Sequence, residues 1–395
     1  MTHMPDKDIP GATPAACAGV PPEDTAANSA AVAPCPGTAA DQSTAVNCDE
    51  VVPPASVSPG TVTARKLLLW AGIGAAVTLA VLVACSLLGQ YRTTSNVWQL
   101  RAYRLLASAA VGAGLASAGM ALQGLLRNPL SEPYILGISS GAGVGVIAGL
   151  GVPFMAVGPQ WLRSFLAQTP FWASTPVLAF GGALAACVVV YGIAQRRGRL
   201  DSYSLILSGV IVNIFNGAIM LTMYLFLDPY RISDFARWSM GQIPEAPDSG
   251  LLLVCCSCTL VGWLLMFAQG SAINALALGD EVAASSGVPV HRLRVLVFVL
   301  TGVVTASAVA LAGPIGFVGL IVPHICRMIA GPDHRKLLIV SGFAGAIFLM
   351  LADTLCRTVG PALGVNKIPV GIVTALCGGP FFIYLLRRRL RETPV

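Results

Sequence analysis

Only 11% of the 395 residues are charged, against roughly a quarter in soluble domains, while 55% are apolar and the mean hydropathy is +0.75. This composition excludes a soluble enzyme or a nucleic-acid-binding domain and defines an all-α polytopic membrane protein. The net charge of +6 then reads as a topology signal.

Residues 1–62 are rich in Ala, Pro, Thr and acidic side chains and contain no long apolar run, so a disordered cytoplasmic extension is expected. They lack the basic start and apolar core of a signal peptide, which leaves the first span as the insertion signal. Residues 63–395 read as one transmembrane domain. Apolar runs near the length of about 20 residues that a bilayer requires fall at 67–89, 104–124, 134–153, 174–195, 203–227, 251–268, 293–312, 316–330, 337–356 and 368–386, which makes about ten spans. The eighth is short and follows the seventh across only Gly313-Pro314-Ile315-Gly316, so a tilted or partly re-entrant helix is expected there. An even number of spans places both termini on one side. Lys and Arg flanking that side, among them Arg65, Lys66, Arg127, Arg196 and Arg387, outnumber those opposite, so both termini are expected in the cytoplasm.

Ahead of the second span, Arg101 and Arg104 stand at i,i+3 and project from one side of the helix start. Positive charge at a translocated end runs against topology, so a docking role competes with a lipid-phosphate anchor. Between the second and third spans lies Gln123-Gly-Leu-Leu-Arg-Asn-Pro-Leu-Ser-Glu-Pro-Tyr-Ile-Leu-Gly-Ile-Ser-Ser-Gly141. Pro129 and Pro133 bias Asn128 and Glu132 out of the helical region, so the second span ends near Arg127 and the third begins after Pro133. Gly141, Gly145 and Gly149 then recur every four residues, the spacing of a close helix contact. In the fifth span Asn213 and Asn216, with Met220 and Met223 further along the same side, either line a water-filled path or hold helices together.

The stretch 272–291 shows two short helical patterns hinged at Gly279, with Asp280 placed to cap the second and Gly287 to end it. It suits a partner's surface or an amphipathic helix lying on lipid. Cys255, Cys256 and Cys258 contain a CxxC with no His or second pair beside it, so packing is favoured over a metal site. His324 follows Pro323 and reads as structural. Near the end of the ninth span, Asp353 lies four residues before Arg357 and is placed to neutralise it. No GxxxxGK[ST] occurs, so ATP phosphates have no cradle of the usual kind and hydrolysis must come from a partner. Asp353 is the sole acidic residue within the proposed spans, which argues against an ion-coupled carrier. No nucleophile, base and cofactor set converges, which argues against an enzyme.

The polar turn, Gly313-Pro314-Ile315-Gly316-Phe317-Val318-Gly319 with Pro323-His324 and Arg327, Gly331-Pro332-Asp333-His334-Arg335, and Ile368-Pro369-Val370-Gly371 form a long multi-block pattern. From about Arg101 to Leu386 the chain resembles the permease subunits of ABC importers for iron-siderophores, haem and vitamin B12. It departs where Lys367 stands in place of the family's usual Glu, at Ala102-Tyr103 between the two outer arginines, and in the 1–62 extension. The resemblance implies a type II ABC importer permease fold in the cell inner membrane. It also implies a homodimer with the substrate path on its axis, two ATPase subunits below and a periplasmic binding protein above. ATP and Mg would sit on the ATPase, with no cofactor on this chain and no nucleic-acid partner. Carried over residue by residue, the coupling segment comprises Leu278, Gly279, Asp280, Glu281, Ala283 and Gly287, with Arg127 and Asn128 abutting it. Arg101, Arg104 and Arg357 would dock the binding protein. Asn213, Asn216, Met220 and Met223 would line the path, and Ser202, Tyr203 and Ser204 would stand at the cytoplasmic gate. The expected cargo is an iron chelate, siderophore or haem, with cobalamin as the alternative.

Overall fold

A backbone crossing hydrocarbon must pair its own N–H and C=O groups, and this chain does so with helices throughout its spans. The computed structural model describes residues 63–392 apart from 88–94, 152–158, 162–163, 165–167, 169–170, 197–198 and 365–367. The 1–62 extension and Lys367 lie outside the described residues. In chain order come α1 (Ala64–Leu87), α2 (Ser95–Leu126), a 3-10 turn (Pro133–Leu136), α3 (Ile138–Gly151) and α4 (Phe171–Ala194). A two-residue hairpin, β1 (Gln195–Arg196) with β2 (Arg199–Leu200), leads to α5 (Ser202–Tyr224), α6 (Pro229–Ser239) and α7 (Ser249–Ala268). Then follow α8 (Gly270–Leu278), α9 (Asp280–Ser285), α10 (Val290–Ala312), α11 (Val318–Ala330), α12 (His334–Ala362) and α13 (Val370–Glu392). Among the described residues, seven helices are long and apolar enough to cross a membrane, and three shorter apolar ones, Ile138–Gly151, Val318–Ala330 and Val370–Leu385, fall on the remaining expected spans.

Helix α1 lies at the edge of the bundle against α12, with Cys85 and Ser86 its buried residues, while α2 runs through the interior with α10, α11 and α12 packed on it. Its run of Ala, Gly and Ser permits this. A Cβ on Gly112 would lie 2.2 Å from the Gly345 carbonyl oxygen of α12, and one on Gly119 would lie 2.0 Å from that of Gly319 in α11. Two backbones approach this closely only where side chains are absent. The glycine stripe of α3 does the same against α4, where a Cβ added to Gly145 would lie 2.1 Å from the Leu178 carbonyl oxygen.

The polar turn is ordered by its own residues. Helix α2 stops at Leu126, Arg127 takes a φ of 50°, and Asn128 accepts from Leu130 N–H at its side chain and from Ser131 N–H at its carbonyl, both at 3.0 Å. Glu132 is extended, as a residue before proline must be. Pro133 then opens a 3-10 turn rather than α3, which begins only after Gly137 at φ 79°. Two further expectations shift. Helix α2 begins at Ser95, which places Arg101 and Arg104 in its second and third turns, and α12 continues past Arg357 to Ala362. Both arginine sites therefore lie inside helices.

Gly119→Ala should destabilise the protein by about 1–3 kcal/mol, because the methyl group meets backbone that has no rotamer by which to yield. The thermal midpoint in detergent should fall, while Gly72→Ala, with nothing within 4 Å of the added carbon, should leave it unchanged.

Candidate functional site

Helices α8 and α9 form a ledge between the long helices α7 and α10. They meet at Gly279, whose φ of 144° and ψ of 155° only glycine adopts readily. The ledge ends in a Schellman turn, with Val288 N–H on Ala283 O and Gly287 N–H on Ala284 O, both at 3.0 Å, and Gly287 at φ 79°. Ala283 is fully buried and anchors α9 from below. Leu278, 76% exposed, and Val282, 44% exposed, point away, and Glu281 is exposed beside them.

Asp280 does not cap α9 with its side chain, contrary to expectation. The N-cap is Gly279, and the carboxylate is occupied by two arginines. Arg127 Nη2 donates to one oxygen, while Arg294 Nη2 donates to both at 2.8 Å. Arg127 Nε also donates to Leu276 O at 2.7 Å, so the end of α2 grips α8 and α9 together. Arg294 reaches further, donating through Nη1 to Leu200 O at 2.9 Å, and Leu200 N–H in turn donates to His291 Nδ1 at 3.3 Å. The hairpin, α9 and the start of α10 thereby share one guanidinium. Arg127 and Asp280 are half in water and their pair is worth little, but the Arg294 side chain is only 11% exposed and its bonds are better protected. Asn128 bonds instead within its own turn, to Leu130 and Ser131. Glu281, Ala284, Val288 and His291 line a cleft of about 530 Å³ alongside.

At the start of α5, Asp201 caps the helix by accepting from Ser204 N–H at 2.9 Å and Ser204 Oγ at 3.0 Å. Ser202 Oγ donates to Leu125 O at 3.4 Å, and Tyr203 projects outward, 74% exposed. Further along, the two amides turn towards α3 within the same chain. Asn213 Nδ2 donates to Tyr134 O at 3.2 Å and Ile135 O at 3.1 Å, and its Oδ1 accepts from Ser140 Oγ at 2.7 Å. Asn216 Nδ2 donates to the same Ser140 Oγ at 3.0 Å. Met220 packs on Gly143, and Met223 lies near Gly151. Of the two roles open to these residues, the structure shows the amides tying helices together. The opposite face of α5 exposes Ile211, Ile214, Phe215 and Leu221.

Arg101 and Arg104, expected at an outer docking surface, are both buried. Arg104 forms a bidentate pair with Asp353, at 2.9 Å from Nε and 2.7 Å from Nη2, and Asp353 is completely enclosed. Arg101 Nη1 donates to Ser86 O at 3.1 Å. Arg357 also reaches Asp353, at 3.3 Å, and keeps 21% of its side chain exposed. A lone carboxylate in an apolar bundle attracts the nearest guanidinium, and here it draws Arg104 inward.

Sequence reasoning treated Glu132 only as a residue before a proline and passed over Tyr134. Tyr134 Oη accepts from Ile315 N–H at 2.7 Å, and Glu132 Oε1 accepts from Phe317 N–H. An acid set between two prolines was the available signal. His324 stands edge-on to Phe381 at 5.8 Å, a packing role.

A multi-pass helical bundle with an exposed two-helix ledge clamped to its interior helix has the form of a transport permease. The chain matches the FecCD transport family over residues 62–388 and belongs to that family. It is 40% identical over 298 residues to the cobalamin import system permease protein BtuC of Halobacterium salinarum, covering 74% of this chain and 73% of the relative. It is 37% identical over 331 residues to the hemin transport system permease protein HmuU of Yersinia pestis, covering 82% and 94%. Among solved structures, an inward-facing metal-chelate type ABC transporter matches with a TM-score of 0.68 at 28% identity, covering 82% of this chain and 99% of the other.

Asp353→Ala should lower stability by about 3–5 kcal/mol, because it strands buried arginines without their counter-charge. Thermal unfolding in detergent should show the loss in the isolated permease, with no binding protein present. An unchanged midpoint would return Arg104 to the docking surface.

Proposed function

We propose that this chain is the membrane permease of an ABC importer that passes an iron chelate, siderophore or haem, from a periplasmic binding protein to the cytoplasm. The observation that carries the reading is the ledge at 270–288, held by Arg127 and Arg294 and presenting Leu278 and Val282 outward. An exposed apolar edge on two short helices suits insertion into a groove of a soluble partner, and an ATPase subunit is the partner such a permease needs. Two copies of the chain and two ATPase subunits form the working assembly, with both termini on the ATPase side in the inner membrane. ATP and Mg belong to the ATPase.

The substrate path runs along α5. Asn213 and Asn216 fix its back to α3 while Met220 and Met223 pack beside them, and the face of Ile211, Ile214 and Phe215 meets the second copy or the cargo. Ser202, Tyr203 and Ser204 stand at its inner mouth. At the far end of α10 from the ledge, a cleft of about 830 Å³ bounded by Asp234, Arg237, Trp238 and Asp248 offers mixed charge to a binding protein. Arg357 retains some exposed surface for the same role. The iron-chelate reading is supported by the hemin-permease relative and the metal-chelate transporter; cobalamin is a second reading, supported by the 40% relative.

Leu278→Asp should abolish assembly with the cognate ATPase in nanodiscs while leaving the permease folded, because it carries a charge into the seated apolar edge. Binding at wild-type strength would remove the ledge as the ATPase seat. Radiolabelled haem, ferric siderophore and cobalamin, each offered with its binding protein in proteoliposomes, decide the cargo.

A further inference from the structure

Among the described residues, two that are not glycine hold a left-handed φ: Arg127 at 50° and Phe317 at 69°. A bulky side chain avoids this region unless its surroundings impose it. The two positions are far apart in sequence, yet one short polar segment joins them. Arg127 reaches the ledge through Leu276 O and Asp280. Five residues later Glu132 accepts the N–H of Phe317, and Tyr134 accepts the N–H of Ile315 at 2.7 Å. The two side chains straddle Gly316, where an added Cβ would lie 3.8 Å from the Tyr134 ring and 4.0 Å from Glu132 Oε1.

The turn 313–317 precedes α11 and has no helical ladder for these N–H groups, so the polar segment supplies acceptors that neither water nor lipid offers here. The segment between is stiff. Pro129 and Pro133 fix two φ angles, and Asn128 closes the chain on Leu130 and Ser131. Beyond the turn, the Phe317 ring fills the place a Cβ on Gly378 of α13 would take, and Pro314 O lies against Gly241 and Gly371.

We propose that Glu132 and Tyr134 are positioning residues that transmit displacement of the α8–α9 ledge, received at Arg127, to the turn 313–317 and so to the packing of α13. The proposal rests on the ledge as the ATPase seat. A stiff segment with a grip at each end passes movement on, where a flexible loop would absorb it.

The test uses the full transporter, permease with ATPase and binding protein, in proteoliposomes, and reads cargo moved per ATP hydrolysed. Tyr134→Phe keeps the ring and removes the acceptor; Glu132→Ala removes the other, and Glu132→Gln keeps an amide oxygen in its place. Tyr134→Phe and Glu132→Ala should each lower transport per ATP by about tenfold, with hydrolysis and ATPase binding retained, and Glu132→Gln should restore most of the ratio. An unchanged ratio in the Tyr134→Phe, Glu132→Ala double variant overturns the proposal. So does loss of folding in Tyr134→Phe, which would make the hydroxyl purely structural. Leu278→Asp separates the two readings: if it leaves ATPase binding intact the seat is misplaced, whereas lost binding beside an unchanged ratio in the tyrosine variant removes the linkage alone.

Discussion

Every polar backbone group in a bilayer must find a partner inside the protein, and the segment 127–137 is where this chain meets that constraint without an α-helix. It interrupts the passage from α2 to α3 with two prolines and backbone groups that no α-helical ladder pairs. Its satisfaction draws in the rest of the fold. The carbonyls of Tyr134 and Ile135 take the Asn213 amide from α5, and Arg127 reaches back to Leu276 and Asp280. The side chains of Glu132 and Tyr134 repay the debt of a second irregular turn at 313–317. Two irregular stretches thus complete one another.

Charge inside the bundle follows the same logic of mutual satisfaction. Asp353 is enclosed, Arg104 is bidentate to it, and Arg357 approaches from one turn along the same helix. Three groups that would each be costly alone make a site tolerable in an apolar surrounding. At the ledge the sign count is the same, one carboxylate serving two arginines, but Asp280 is 47% exposed and the cluster is the less buried of the two. Stronger fixation at Asp353 and weaker fixation at Asp280 suit a frame in one place and a movable joint in the other.

Much of the architecture was legible because a bilayer leaves few solutions. Run length located the ten apolar helices, the glycine repeat of α3 found its face against α4, and Pro129 and Pro133 marked the break after α2. The hinge at Gly279 and the stop at Gly287 were legible for a similar reason, since glycine at those places has a backbone explanation. What sequence could not supply was the partner of each polar side chain. Arg104 was assigned outward because spacing places it on a face but does not say that Asp353, 249 positions away, occupies that face. Asp280 read as a helix cap because caps are local, while its actual partners, Arg127 and Arg294, come from α2 and α10. Glu132 escaped notice because its partner is a backbone N–H, which no residue pattern records.

The use of the amides in α5 bears on how such a path would carry cargo. Asn213 and Asn216 spend their donors on Tyr134, Ile135 and Ser140, which leaves the exposed face of the helix to Ile211, Ile214 and Phe215. A wall without free hydrogen-bonding groups has little with which to hold a polar chelate, and weak holding favours release. In the proposed assembly, affinity then resides in the binding protein and direction in the ATPase. In that assembly the permease would contribute a low-affinity passage, with its opening governed by the proposed linkage between the ledge and the turn 313–317.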